Sequence, residues 1–197
     1  MRDTKSAKSK TAFFKMARLR NITQKLSDML IFNITEIDNM RILFNYKENG
    51  TFDTSLVANS PAFHNICINP SALEVVDVDR DGLDEIIVAQ PSEHKLFVYR
   101  RTESAVVPVL DIALLLDASP TDIAAADLNG DGYSDLIVTT NDEAKPAESG
   151  RVHVFTNRQG AGYSNDAPWH FSFPAECPGK KHVVALNLDG DSAGALD

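Results

Sequence analysis

The 197-residue chain has two cysteines, one tryptophan and no long apolar run. Cys67 and Cys177 are too few for the dense disulfide framework of a small secreted scaffold, and neither has a Cys or His neighbour at metal-ligand spacing, which excludes a zinc finger or ribbon. One disulfide between them and two separate thiols both stay open. The longest apolar stretch, Ala105 to Ala118, is broken by Pro108, Asp111 and Asp117, far short of the roughly 20 apolar residues of a membrane-spanning helix. The five histidines (His64, His94, His153, His170, His182) are scattered, and there is no nucleophile elbow, zinc-binding His pair or phosphate-cradling Gly loop. What remains is a globular composition, 43% hydrophobic and 24% charged, which excludes wholesale disorder.

Positive charge is scarce beyond the first 27 residues. Residues 1–27 hold eight Lys or Arg and one acid, Asp3, whereas the rest of the chain holds 11 basic and 27 acidic residues. An acidic body makes a poor nucleic-acid partner, because phosphate binding depends on Lys and Arg releasing counterions, and a good partner for cations. The basic start lacks the apolar core of a secretory signal. Its Ser, Thr and Lys content is shared with organelle transit peptides, but a solvated tail leading into a helix is the simpler expectation. Phe13, Met16, Leu19, Ile22, Leu26 and Met29 recur every three or four residues, the spacing of an amphipathic helix.

Beyond this leader one pattern repeats three times: LEVVDVDRDGLDEIIVAQ from Leu73, IAAADLNGDGYSDLIVTT from Ile123 and HVVALNLDGDSAGALD from His182. Their first acidic-loop positions, Asp77, Asp127 and Asn187, are 50 and 60 residues apart. A second segment follows each loop, at Met40, Lys95 and Arg151, with spacings of 55 and 56. The Met40 copy implies an upstream loop ending near Asp28, but Arg20, Ile22 and Gln24 stand where ligands are needed, so that loop is degenerate. EIIVA, DLIVT, LFVY and VHVF read as short strands bounded by turn residues. Several short strands per unit of about 55 residues predict propeller-like blades.

The loops carry the chemistry. DVDRDGLDE places Asp77, Asp79, Asp81 and Glu85 at positions 1, 3, 5 and 9, and DLNGDGYSD places Asp127, Asn129, Asp131 and Asp135 there. Oxygen-only ligands with Gly82 or Gly132 at position 6 describe a hard-cation site, and calcium accepts the irregular coordination better than magnesium. The position-7 carbonyls of Leu83 and Tyr133 are further candidate ligands. An EF-hand would need Glu at position 12 and flanking helices, but Val88 and Val138 occupy that position inside expected strands. Asp, Asn and Gly are also ordinary turn residues, yet four acidic groups in nine residues repel one another unless neutralised. The third loop keeps Asn187, Asp189 and Asp191 but has Ser192 for the glycine and Ala195 for the final carboxylate, a weaker site.

These loops, with segments such as ENGTF, resemble the FG-GAP and VCBS repeats of integrin-α-type β-propellers over roughly residues 40–197. The resemblance implies a propeller with calcium held in hairpin loops and a role in adhesion or ligand binding. The Phe-Gly and Gly-Ala-Pro signatures are missing, so the VCBS-like variant fits better.

The expected fold is therefore all-β: an incomplete β-propeller of about three blades, preceded by a short basic helical or disordered segment over 1–27. The units fall at about 28–72, 73–122 and 123–181, with a truncated one at 182–197. At this period 197 residues give fewer units than the usual minimum of about four for closure, so the expectation is a part of a propeller with open strand edges. The expected function is a non-enzymatic calcium-binding interaction module for a protein or carbohydrate ligand, for remaining blades, or for self-association. Such sites suit an extracellular or secretory-lumen setting, although the chain shows no export signal. The alternative is a metal-dependent hydrolase or transferase using the Asp77/Asp79 pair, or an accessory domain of one, against which the repetition of the motif counts. Trp169 and Phe171, near Tyr163, are expected in the core rather than on a ligand surface. The three sequons, Asn21, Asn33 and Asn49, all fall in the first quarter of the chain.

Overall fold

Short β-branched runs separated by Gly- and Asp-rich turns pair with their sequence neighbours, and the computed structural model is built from three such meanders. It describes residues 14–17, 28–32, 40–46, 52–53, 70–102, 105–142, 150–166, 169–174 and 181–186. The first sheet is β1 (Phe14–Ala17), β2 (Asp28–Phe32), β3 (Met40–Tyr46) and β4 (Phe52–Asp53). The second is β5 (Ala72–Val76), β6 (Glu85–Gln90), β7 (Lys95–Thr102) and β8 (Ala105–Leu115). The third is β9 (Ser119–Ala126), β10 (Asp135–Asn141), β11 (Arg151–Phe155) and β12 (Trp169–Ser172). Every pairing is antiparallel, between strands consecutive in the chain. Apart from a 3₁₀ turn at Pro91–Glu93, no helix occurs among the described residues, and none there is long and apolar enough to cross a membrane.

The second and third sheets pack face to face. The 2-residue period of a strand sends Ile87, Ala89, Leu96, Val98 and Leu114 to one face of the second sheet, where they meet Ile123, Leu136, Val138 and Phe155 of the third. Leu96, Leu114, Leu136 and Val138 are all fully buried there. Strand β6 is buried along its whole length, which explains why Ile86 to Ala89 form a continuous apolar run with no alternation. β9 lies beside β5 and β6, so each acidic loop opens from the same end of its sheet. One hydrogen bond recurs across successive units. Ser71 Oγ donates to the Pro120 carbonyl at 2.7 Å, and Thr121 Oγ1, 50 residues on, donates to the Lys181 carbonyl at 2.9 Å. The open sheets and the repeated link fit part of a propeller.

Two expectations change. Residues 14–17 were expected in a helix or a disordered leader, yet they form β1, paired with β2 from Phe14↔Ile31 to Ala17↔Asp28. The three- and four-residue spacing belongs to two strands separated by a connection, and tertiary pairing overrides the local periodicity. Trp169 and Phe171, expected in the core, are 62% and 50% exposed, because β12 is the edge strand of its sheet and is exposed along its whole length. Tyr163 is buried as expected. Cys67, Cys177, the three sequons and the third acidic loop, Asn187 to Ala195, lie outside the described residues.

The central and edge strands of the third sheet should respond differently to mutation. Leu136→Ala, in the packed core on β10, is expected to cost about 2–5 kcal/mol in urea unfolding, whereas Trp169→Ser on the exposed edge strand β12 should stay within about 0.5 kcal/mol.

Candidate metal centre

Each acidic loop is a tight connection between the first two strands of its sheet, and its shape follows from a few residues. Gly82 and Gly132 adopt φ values of 89° and 88°, a region L side chains rarely enter. Position 4 is also left-handed, filled by Gly130 in the second loop and by Arg80, at φ 63°, in the first. The Arg80 guanidinium lies over the Tyr133 ring, 5.5 Å from its centroid, so a cation–π contact ties the first loop to the second. Asp79 accepts from the Asp81 N–H (3.2 Å) and Asp81 from the Leu83 N–H (2.7 Å), the two-residue turns that Asp favours. Asn129 and Asp131 repeat the pattern toward Asp131 and Tyr133, at 2.9 Å each.

At the last ligand position the loops carry an acid inside the structure. Glu85 opens β6 with no exposure, and Asp135 opens β10 almost as deeply. Glu85 Oε2 accepts from the Val78 N–H at 2.8 Å. Its other oxygen, Oε1, has no hydrogen-bond partner, and neither has buried Asp77 Oδ1. Asp77, Asp79 and Glu85 each direct one oxygen into a group whose members all lie within 4.8 Å of one another. Burial pushes the Glu85 carboxyl up to about 7, opposed by the Val78 N–H and reinforced by the neighbouring Asp79 charge. Unpartnered buried oxygens are costly, and two of them in one group of three carboxylates fit the oxygen donor set a calcium ion takes.

The second loop repeats two bonds of the first, where the Gly82 N–H donates to Asp77 Oδ2 at 2.9 Å and the Val78 N–H to Glu85, but it also fills the oxygens that stay unpartnered in Asp77 and Glu85. Asp127 Oδ1 accepts from the N–H groups of Gly130 (2.8 Å) and Asp131 (3.1 Å), and Oδ2 from Gly132 (2.7 Å). Asp135 Oδ2 accepts from Leu128 at 3.2 Å and Oδ1 from Asn157 at 2.7 Å. Burial raises the Asp135 pKa, with those two backbone donors opposing it. Position 3 is the neutral Asn129, so no matching group of three carboxylates forms. The structure thus draws together Asp77, Asp79 and Glu85 of the expected ligands. Asp81 is exposed and engaged with its own loop.

Two residues hold the loops in place through bonds the sequence did not reveal. Asn157 Nδ2 donates to the carbonyls of Val78 in the first loop (2.9 Å) and Ser134 in the second (3.2 Å). Tyr163 Oη donates to the same Ser134 carbonyl at 2.9 Å. Both lie in the recurring segment that begins at Arg151, whose spacing and strand pattern carry no sign of these bonds. Arg100 is the third. Its Nη1 is 2.5 Å from Asp79 Oδ2 and its Nη2 is 3.3 Å from Asp111 Oδ2.

Residues 77–138, which run from the first acidic loop through the second, match the family model of the FG-GAP-like repeat. The resemblance seen in the loop sequences is therefore found over that segment. No curated protein matches the chain.

The raised Glu85 pKa contributes to the pH dependence of the metal-free protein, in the same sense as the raised Asp135 pKa and against the lowered His153 pKa. Above about pH 4.5 the unfolded Glu85 loses its proton while the folded one keeps it to about 7. The unfolded state then binds fewer protons, and stability falls as pH rises through that window, by at most about 1.4 kcal/mol per pH unit from this group. Urea unfolding in EDTA from pH 4.5 to 8 should show the fall. Glu85→Gln, which keeps an acceptor for Val78, should flatten it.

Proposed function

We propose that the chain is a calcium-binding, β-propeller-type interaction module, acting by recognition and not by catalysis. The observation that carries this reading is the pair of unpartnered buried oxygens, Asp77 Oδ1 and Glu85 Oε1, within one carboxylate group. In this reading Asp77, Asp79, Asp81 and Glu85, with the Leu83 carbonyl, hold one calcium ion. Asp127, Asn129, Asp131 and Asp135, with the Tyr133 carbonyl, form a second, weaker site, because Asp127 Oδ1 and Asp135 Oδ1, whose counterparts in the first loop have no donor, already accept backbone N–H groups. Asn187, Asp189 and Asp191 would belong to a third. The chemistry calcium supplies there is neutralisation and cross-linking of a hairpin, not activation of a substrate.

Recognition fits the rest of the surface. Trp169 and Phe171 stand exposed on the edge strand β12, and Val184 and Leu186 are exposed as well. Exposed aromatic and aliphatic groups suit a protein or carbohydrate ligand, further propeller strands or a second copy of the chain. Calcium loops of the weaker kind fill at about 10⁻⁴–10⁻³ M, which favours an extracellular or secretory-lumen setting.

Thermal melting in calcium against EDTA tests the reading. At tenfold saturation one site adds about 1.4 kcal/mol, which raises Tm by about 3–6 °C for a domain of this size. Asp77→Asn should remove most of the shift and Asp127→Asn a smaller part. A wild-type melt indifferent to both calcium and EDTA would show the metal assignment to be wrong.

A further inference from the structure

The two loops differ in charge at one ligand position, position 3, while position 9 keeps a carboxylate in both as Glu85 and Asp135, and the residue across the neighbouring strand differs in the matching sense. Ile86 pairs with Tyr99, and Leu136 with Phe155, so Arg100 and Thr156 occupy equivalent places beside their loops. Position 3 is Asp79 in the loop beside Arg100 and Asn129 in the loop beside Thr156. The degenerate upstream unit follows the same rule, since Met29 pairs with Leu43, which puts Phe44 at the equivalent register, and its position 3 is Ile22. Across the repeats, a charged residue at position 3 is accompanied by a cation, a neutral polar one by a hydroxyl and an apolar one by an aromatic.

Arg100 is also placed to leave. Its guanidinium spans two acceptors, Asp79 inside the loop and Asp111 on β8 outside it. It is only partly buried, and its Nε has no hydrogen-bond partner, so the residue is not locked by a full set of bonds. Asp79 Oδ2, the oxygen it holds, belongs to a residue that a cation in the Asp77–Asp79–Glu85 group would use.

We propose that Arg100 is the first loop's own counter-cation, which holds Asp79 in the metal-free protein and yields it to calcium by shifting onto Asp111, so that Arg100 sets the affinity of this site. The inference rests on the calcium reading and goes beyond it by naming a competitor inside the chain. A guanidinium and a divalent ion cannot both take the same carboxylate at full strength, and the loss of one ion pair is part of the cost of binding. The second loop has no such competitor, and its limit is the backbone N–H groups that occupy its carboxylates.

Calcium titration calorimetry on the full chain separates the outcomes. Arg100→Gln is expected to bind calcium about fivefold more tightly than wild type, the equivalent of one partly exposed ion pair. In EDTA the same variant should melt lower than wild type, because Asp77, Asp79 and Glu85 then repel without a counter-cation, and saturating calcium should close the gap. Asp111→Asn keeps Arg100 but removes its second acceptor, so its calcium affinity should fall about twofold while its fold is undisturbed. In wild type the Arg100 side-chain NMR resonances should move on calcium addition. Calcium binding by wild type with equal or weaker binding by Arg100→Gln, or tighter binding by Asp111→Asn, would overturn the competition and leave the calcium site standing. Failure of both wild type and Arg100→Gln to bind would overturn both.

Discussion

At the mouth of each acidic loop the chain buries a carboxylate, at Glu85 and at Asp135, where β6 and β10 begin. A charge taken out of water in this way must be protonated, paired or surrounded by donors. Asp135 is surrounded: the N–H groups of Leu128 and Asn157 take one oxygen each. Glu85 has only the Val78 N–H, and its second oxygen faces Asp77 and Asp79 without a donor. The same motif therefore gives one loop that is nearly complete in itself and one that asks for a cation. Its raised pKa and the reach of Arg100 into Asp79 are two partial answers to that demand.

The loops are not isolated turns, because the packing of the sheets runs through them. Asn157 grips the first loop at the Val78 carbonyl and the second at Ser134 and Asp135, while the Val78 N–H is the donor to Glu85. Tyr163, buried in the core between the second and third sheets, adds a bond to Ser134. The Gly160 backbone approaches so closely that a Cβ there would lie 3.3 Å from the Asp79 carbonyl oxygen and 3.0 Å from the Tyr133 ring.

Strand positions and loop shape were legible in the sequence because both are local. EIIVA, DLIVT, LFVY and VHVF became β6, β10, β7 and β11, and the position-6 glycines took up the left-handed turn their spacing called for. The strand at Phe14–Ala17 was not legible, since a helical spacing of apolar residues across 13–29 is also what two strands and their connection produce by coincidence. Arg100 was hidden for another reason. Its role depends on strand register, which places it beside a loop more than twenty residues earlier, and only the pairing Ile86↔Tyr99 reveals it. Trp169 and Phe171 show the same limit, because hydrophobicity indicates a preference for burial and not whether a neighbouring sheet is there to supply it.

The central claim is that the carboxylate group at the start of β6 is a cation site with Arg100 as its resident substitute. Crystals grown in saturating calcium, measured at a wavelength where calcium scatters anomalously, address it directly. The account predicts an anomalous peak about 2.3–2.6 Å from Asp77 Oδ1 and Glu85 Oε1, with the Arg100 guanidinium turned toward Asp111. No peak there, with Arg100 still seated on Asp79, would contradict it.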